Sequence, residues 1–311
     1  MIDGRPSATA LLVALSVARE GTRHGLPPDS RVLADTALAA AGGFWRLSGW
    51  LARHAAGRAL LHALESVALP GLAEHHCRRK AWLWQHLLTL PHDHRTIWLG
   101  VGFDALALAL QTHRPDIACV ETDHSDTLAL RRRLIDAPHR NTEALHLPGD
   151  AERLLRLCRS APATLITEGL LMYLPPRPLL RLLRHLSELP SPPRLLFSAL
   201  QPSKCNGRGF AKPQPLRDSW LLRHGEPFRW RLPPERLSRL LQRSGYVVDA
   251  AWDGAGFGEY LIAASHRSLL AANGVVVGWN GQQSDEVTIP IGHRTARLGD
   301  TQTVKRRNTC W

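Results

Sequence analysis

Between residues 96 and 264 the chain repeats one pattern, a four- to six-residue β-prone run followed by a stretch of helical length. The runs are Thr96–Val101 (TIWLGV), Ile117–Thr122 (IACVET), Ala144–Leu147, Thr164–Thr167 (TLIT), Leu195–Ala199 (LLFSA), Tyr246–Ala251 (YVVDAA) and Tyr260–Ala264 (YLIAA). Helices are expected between them over about 104–111, 125–136, 151–159, 176–188 and 234–243. Such alternation restricts the fold to a parallel sheet with crossover helices, because parallel neighbours need a long connection and a helix is the usual one. The last two runs differ: the glycine-rich turn Asp253–Gly258 between them is too short for a crossover, so they form an antiparallel hairpin at the sheet edge. The expected fold class is therefore α/β, with a seven-stranded Rossmann-like sheet.

The flanks do not share the pattern. Residues 7–66 read as helical, with a polar break from Gly21 to Ser30 and further helices near 31–41 and 50–65. Another helix over 72–90 is closed by Pro91. The organisation expected is a helical cap over 1–92 and a sheet domain over 93–266, with a lid insertion at about 201–232 and a loosely ordered tail over 267–311. The lid follows the fifth run and so lies beyond the carboxyl end of a strand, the edge where open α/β sheets bind ligands. The apolar run Ala8–Ala18 has the length of a signal-peptide core, yet Asp3 and Arg5 cancel before it and Ser7-Ala8-Thr9 can cap a helix. A buried helix is the expectation. No apolar run reaches the roughly 18–20 residues of a membrane span.

The formal charge of +12 tempts one toward nucleic acid, but only four of the 39 basic residues are lysines and the arginines are spread along most of the chain. A nucleic-acid partner is not expected. Arg131-Arg132-Arg133 reads as the solvated face of a helix. The five cysteines are odd in number, and no C-x-x-C pair exists to build a zinc or redox motif. That usage fits a reducing cytoplasm and no metal site.

Chemistry concentrates where the runs end. The first closes in Leu99-Gly100-Val101-Gly102-Phe103-Asp104, and glycines there let a ligand approach the backbone and helix N-terminal amides. The second ends in Glu121-Thr122-Asp123, about 20 residues on, where an acidic group can hold ribose hydroxyls. Gly149-Asp150 follows the third run, at a position suited to an adenine amine, and Glu168-Gly169 follows the fourth. The plainer reading is that polar residues follow strands because strands end at the surface. Against a nicotinamide cofactor, Ala105 stands where a third glycine is wanted, and Asp104 would sit badly beside a pyrophosphate. An acidic residue there suits a cofactor with a cationic ammonium, S-adenosylmethionine.

Five motifs in order, S-x-T-A (Ser7–Ala10), R-K-x-W (Arg79, Lys80, Trp82), L-G-x-G-F-D (Leu99–Asp104), E-x-D-H (Glu121–His124) and E-G-L-L-M-Y-L (Glu168–Leu174), carry a resemblance. The chain resembles the leucine carboxyl methyltransferase-like class I methyltransferases from residue 7 to about 265. The resemblance implies an S-adenosylmethionine-dependent O-methyltransferase acting on a carboxylate or hydroxyl of a small molecule or peptide. It implies that Arg79 binds the methionine carboxylate and that Gly100, Gly102 and Asp104 line the cofactor. Glu121 with Asp123 would hold the ribose and Asp150 the adenine, while Glu168 and Tyr173 would stand at the methionine end as the catalytic pair. Ala105 and Ser125 replace a threonine and a proline often found in the family.

A carboxylate acceptor needs no general base, whereas a phenol or alcohol does, and His124, His185 and His224 are the candidates. With 16 histidines in the chain, each is more simply a structural residue. Arg208, Arg217, Arg223, Arg229 and Arg231 of the lid could clamp an anionic acceptor or could equally be solvated, and Trp220 and Trp230 read as lid packing. Two other readings of the whole chain are a non-catalytic binding protein on the same scaffold and an RNA-modifying methyltransferase.

Overall fold

Five helices precede the sheet: α1 (Ala8–Glu20), α2 (Pro28–Ala41), α3 (Gly43–Arg53), α4 (Ala55–Ala68) and α5 (Leu72–Leu88). The computed structural model describes residues 7–135, 141–159, 161–203 and 209–272. The expected tail beyond residue 272, with Lys204 to Arg208 of the lid, lies outside the described residues. Ser7 caps α1, its Oγ accepting the Ala10 N–H at 3.1 Å. The expected helix at 50–65 is in fact two: α3 starts at 43, because Gly42 and Gly43 take positive φ (69° and 49°) and turn the chain after α2. The cap helices bury a small core of their own around Leu11, Leu38 and Leu61, to which Phe103 from the sheet side is added.

The sheet holds β1 (Arg95–Leu99), β2 (Ala118–Asp123), β3 (Asn141–Ala144), β4 (Ala163–Thr167), β5 (Arg194–Leu200), β6 (Tyr246–Trp252) and β7 (Glu259–His266). Its order is β3-β2-β1-β4-β5-β7-β6, parallel from β3 to β5 and antiparallel for β7 against β5 and β6. This is the expected seven-stranded Rossmann-like α/β sheet. The final hairpin folds back so that β7, not β6, enters the sheet. That placement follows from composition: β7 (EYLIAASH) is buried through its first six residues, whereas β6 alternates as an edge strand does.

The crossover helices are α6 (Leu106–His113), α7 (Ser125–Leu134), α8 (Ala151–Arg159), α9 (Pro176–Ser187) and α11 (Pro234–Arg243), with α10 (Pro215–Arg223) in the lid and a short α12 (Arg267–Ala272) after β7. One face of the sheet is covered by α8, α9 and α11 through Leu154, Leu182, Leu186, Leu237 and Leu241. The other is covered by α6 with the second half of α5, through Leu83, Leu87, Leu106 and Leu110. Helical cap and sheet belong to one packed unit.

The third strand departs from expectation. It is Asn141–Ala144 rather than Ala144–Leu147, and pairs only with β2. As an edge strand with intermediate burial it needs no apolar alternation, so its sequence, NTEA, gives no strand signal. The apolar residues that do signal, Leu145 and Leu147, belong to the following loop: Leu145 is buried in the core and Leu147 reaches the main cavity.

Candidate active site

The strand order reverses between β1 and β4, and the turns that follow these strands meet the helical cap there. After β1 the backbone N–H groups of Gly100 and Val101 both donate to the Thr122 carbonyl, at 2.9 and 3.1 Å. Gly100 has φ +67° and Gly102 φ +54°, a region that L side chains avoid. A Cβ on Gly100 would also come within 3.3 Å of Leu170. The turn is then fastened by the end of β2: Asp123 accepts the Gly102 N–H at 2.7 Å on Oδ2 and the His124 N–H at 2.6 Å on Oδ1. Burial raises the Asp123 carboxyl above its usual range in spite of these two donors. Asp104 caps α6 by accepting the Leu106 N–H at 2.9 Å on one oxygen and holds Lys80 Nζ at 2.6 Å on the other.

Helix α5 delivers the opposing charges. His75 and Arg79, like His76 and Lys80, are one helical turn apart and share a face, and all four are buried. Arg79 Nε donates to Glu168 Oε1 at 2.8 Å, and Nη1 donates to both oxygens of Glu259 at 2.8 and 2.7 Å. Its Nη2 lies 3.7 Å from where a Cβ on Gly169 would stand. Lys80 bridges Asp104 and Glu168. His75 Nε2 closes the group on Glu259 Oε2 at 2.8 Å, and its buried Nδ1 has no hydrogen-bond partner among the described residues. Burial alone would raise the Glu259 carboxyl, but Arg79 and His75 outweigh it and hold the carboxyl far below the usual range. The same pairing keeps Arg79 and Lys80 charged against the cost of burial.

These residues surround one cavity of about 790 Å³, within the roughly 300–1,000 Å³ of small-molecule sites. Of the residues singled out from sequence, Arg79, Gly100, Gly102, Asp104, Asp123, Glu168 and Tyr173 line it. Glu121 and Asp150 do not. Glu121 shares a face with Asp123 but lies two residues deeper in β2, about 6–7 Å from the strand end. There Arg131, fully buried, clasps its carboxylate from Nη2 and Nε and donates from Nη1 to the Gly102 carbonyl at 3.1 Å. Arg131 is thus an internal prop under the glycine turn rather than part of a solvated face. Asp150 stands in the loop after β3, where its Oδ2 accepts the His146 N–H at 2.7 Å and closes the loop on itself, while Leu147 of the same loop lines the cavity.

Three wall residues escaped the sequence reading. Lys80 was in plain view within R-K-x-W, and Glu259 is a lone carboxylate opening an apolar strand. Glu226, 7 % exposed, stands in the lid with nothing in its neighbourhood to mark it, and its Oε2 accepts Thr9 Oγ1 at 2.5 Å from α1. Burial, then the Glu226 charge, pushes the Tyr173 hydroxyl well above its usual range. Of the three candidate histidines only His224 reaches the cavity. Among the lid arginines, Arg217 is spanned by Asp218 and the Gly209 carbonyl, and Arg231 donates to the carbonyls of Gln201 and Phe210. Arg223 is exposed and does not line the cavity, whereas Arg229 is exposed and does. Trp230 packs the lid, donating to the Leu171 carbonyl at 2.8 Å, while Trp220 stands on the cavity wall.

A seven-stranded sheet in this order, ending in an antiparallel hairpin and carrying a glycine-turned cavity at its switch point, is the scaffold of class I methyltransferases. A family profile of leucine carboxyl methyltransferases matches residues 10–187, and the chain belongs to that family. It is an S-adenosylmethionine-dependent methyltransferase. No curated protein matches it by sequence. Among solved structures, a candidate methyltransferase from Thermobifida fusca YX shares the fold, with TM-score 0.52, 17 % identity and coverage of 85 % of this chain and 96 % of that one. TnmH is similar at TM-score 0.43 and 15 % identity, over 84 % of this chain and 96 % of its own. CalO1, a methyltransferase in calicheamicin biosynthesis with S-adenosylhomocysteine bound, is similar at TM-score 0.40 and 16 % identity, over 83 % and 69 %.

Proposed function

We propose that the protein binds S-adenosylmethionine in this cavity and methylates an oxygen, a carboxylate or hydroxyl, of a small molecule or peptide. The observation that carries the reading is the charge balance of the buried group: Arg79 and Lys80 face Asp104, Glu168 and Glu259, two cations against three carboxylates. The cofactor has the complementary sign, an ammonium and a sulfonium against one carboxylate. Arg79, with Nη2 at Gly169, would take the carboxylate end, Asp104 and Glu168 the ammonium, and Asp123 the ribose hydroxyls. Glu121 would act one layer behind, holding Arg131 under the turn, and the adenine would meet Leu147 in place of Asp150.

When bound, the cofactor supplies a methyl group made electrophilic by the attached sulfonium. The protein's part is alignment and exclusion of water, since an in-line displacement gains most from holding the reacting atoms in position. Glu168 is held by both α5 cations and fixes the cofactor end of the site. Tyr173, kept protonated, is a hydrogen-bond donor at neutral pH and not a base. A carboxylate acceptor arrives ionised and needs no further help. For a hydroxyl acceptor, proton-accepting groups on the lid wall are Glu226 and His224, whose Nδ1 is engaged by the Trp220 carbonyl at 2.7 Å.

Calorimetry with S-adenosylmethionine and S-adenosylhomocysteine tests the reading, and both are expected to bind at micromolar concentration. Arg79→Ala should weaken binding at least about tenfold, the lower end of what a charged hydrogen bond contributes. Arg78→Ala, which loses only an exposed pair with Glu74, should leave it unchanged. Failure of either ligand to bind below millimolar concentration would sink the proposal.

A further inference from the structure

Helices α9 and α11 cover the same face of the sheet, and outside the core they flank a second groove of about 740 Å³. Each helix turns a row of three arginines into it: Arg177, Arg181 and Arg184 from α9, and Arg236, Arg239 and Arg243 from α11. The spacings, i, i+4, i+7 and i, i+3, i+7, place each row along one helical stripe about 10 Å long. The opposite stripes, with Leu182, Leu186, Leu237 and Leu241, are in the core, so the arginine rows are fixed toward the groove by burial of the leucines. All six arginines are exposed, and among the described residues none of them has a carboxylate within ion-pair distance. Leu180, Leu232 and Leu240 line the same groove, and Leu180 is 42 % exposed.

We propose that this groove docks an acidic amphipathic helix of a protein partner, its apolar stripe on the leucines and its carboxylates on the two arginine rows. Six like charges brought together without counter-charge repel one another, and an anionic partner removes that cost. Guanidinium groups suit carboxylates, which they grip with two parallel bonds. The leucines select among polyanions no further than their chemistry allows: they offer an apolar helix face a place to bury, and among the described residues no aromatic ring lines the groove on which a nucleic-acid base could stack. The groove also adjoins the catalytic cavity, because Leu232 donates its N–H at 2.9 Å to the carbonyl of Leu200, a cavity residue. A partner held there stands beside the site that would modify it or its cargo.

The test is fluorescence anisotropy with a labelled synthetic helix of about 18 residues, leucines on one face and glutamates on the other, at about 50 mM salt. A scrambled peptide of identical composition and a single-stranded RNA of equal charge serve as the comparison. The amphipathic peptide should bind at least tenfold more tightly than either, and Arg181→Glu/Arg184→Glu/Arg239→Glu should weaken it at least tenfold. S-adenosylhomocysteine affinity and the melting temperature verify that the variant is folded, and the glutamine versions of the same three positions replace it if it is not. Equal binding of the scrambled peptide, tighter binding of the RNA, no binding of the helix, or indifference to the substitutions would each overturn the proposal.

Discussion

Glu121 and Asp123 look interchangeable as candidate ribose ligands, two carboxylates on one strand face, and the structure gives them different work. Asp123 ends its strand at the cavity and locks the glycine turn, whereas Glu121 neutralises Arg131 in the interior. Asp123→Asn is therefore expected to weaken S-adenosylhomocysteine binding about tenfold or more and to lower the melting temperature as well, because its amide nitrogen would face one of the two backbone N–H groups that the carboxylate now accepts. Glu121→Gln should leave affinity within a few-fold while costing about 3–5 kcal/mol of stability, because it strands a buried guanidinium. Calorimetry and denaturant melts on the two variants separate the roles. The residue choice was legible where the motif lies at a strand end. The motif gave no sign that Glu121 stands off the cavity wall, because side-chain depth, unlike sequence offset, depends on what packs above it.

Helix packing sets limits of its own. Gly57 in α4 lies so close to α3 that a Cβ would collide with the Leu51 carbonyl. Alanine is the better helix former by about 1 kcal/mol, so intrinsic propensity favours Gly57→Ala. The clash is with backbone, which cannot rotate away, and forcing the helices apart costs about 1–3 kcal/mol. The second effect should win, and urea denaturation should show a lower midpoint for Gly57→Ala with unchanged slope. An unchanged or higher midpoint would mean that α3 and α4 shift freely. Elements with strong periodicity, such as α9 and α11, were legible at their bounds, while β3 was misplaced by three residues because a polar edge strand carries no apolar signature.

Across the whole molecule the buried ionisable groups make stability depend on pH. His76 is buried between α5 and α1 with Nδ1 at 2.9 Å from Ser16 Oγ, and burial, then Arg79, depresses its pKa well below 6.5. The unfolded chain binds a proton there that the folded chain refuses. The contribution of His76 is thus complete above about pH 6.5 and declines below it, by up to about 1.4 kcal/mol per pH unit. Glu259 has a depressed carboxyl and adds to the loss only once the pH falls below the ordinary glutamate value of 4.5. Melts from pH 8 to 5 should show a falling transition temperature whose slope lessens in a His76→Gln variant, the remainder coming from His86, His94 and His266, which burial also depresses. A flat profile in the native chain would contradict the neutral burial of His76.

The net charge of +12 proved uninformative as a total, since it mixes a cavity arginine such as Arg79, an internal prop such as Arg131 and a cluster of six on one groove. Order and type of the elements, the crossover pattern and the glycine turn after β1 were determined by sequence alone. They depend on periodicity and backbone conformation, which neighbouring residues along the chain dictate. Tertiary structure alone decided which charges meet, for Arg79 finds Glu259 across 180 residues and Thr9 finds Glu226 across 217. Those pairings require β7 to be inserted beside β5 and the lid to lie over α1. Such choices are made by burial over the whole fold, and no local pattern encodes them.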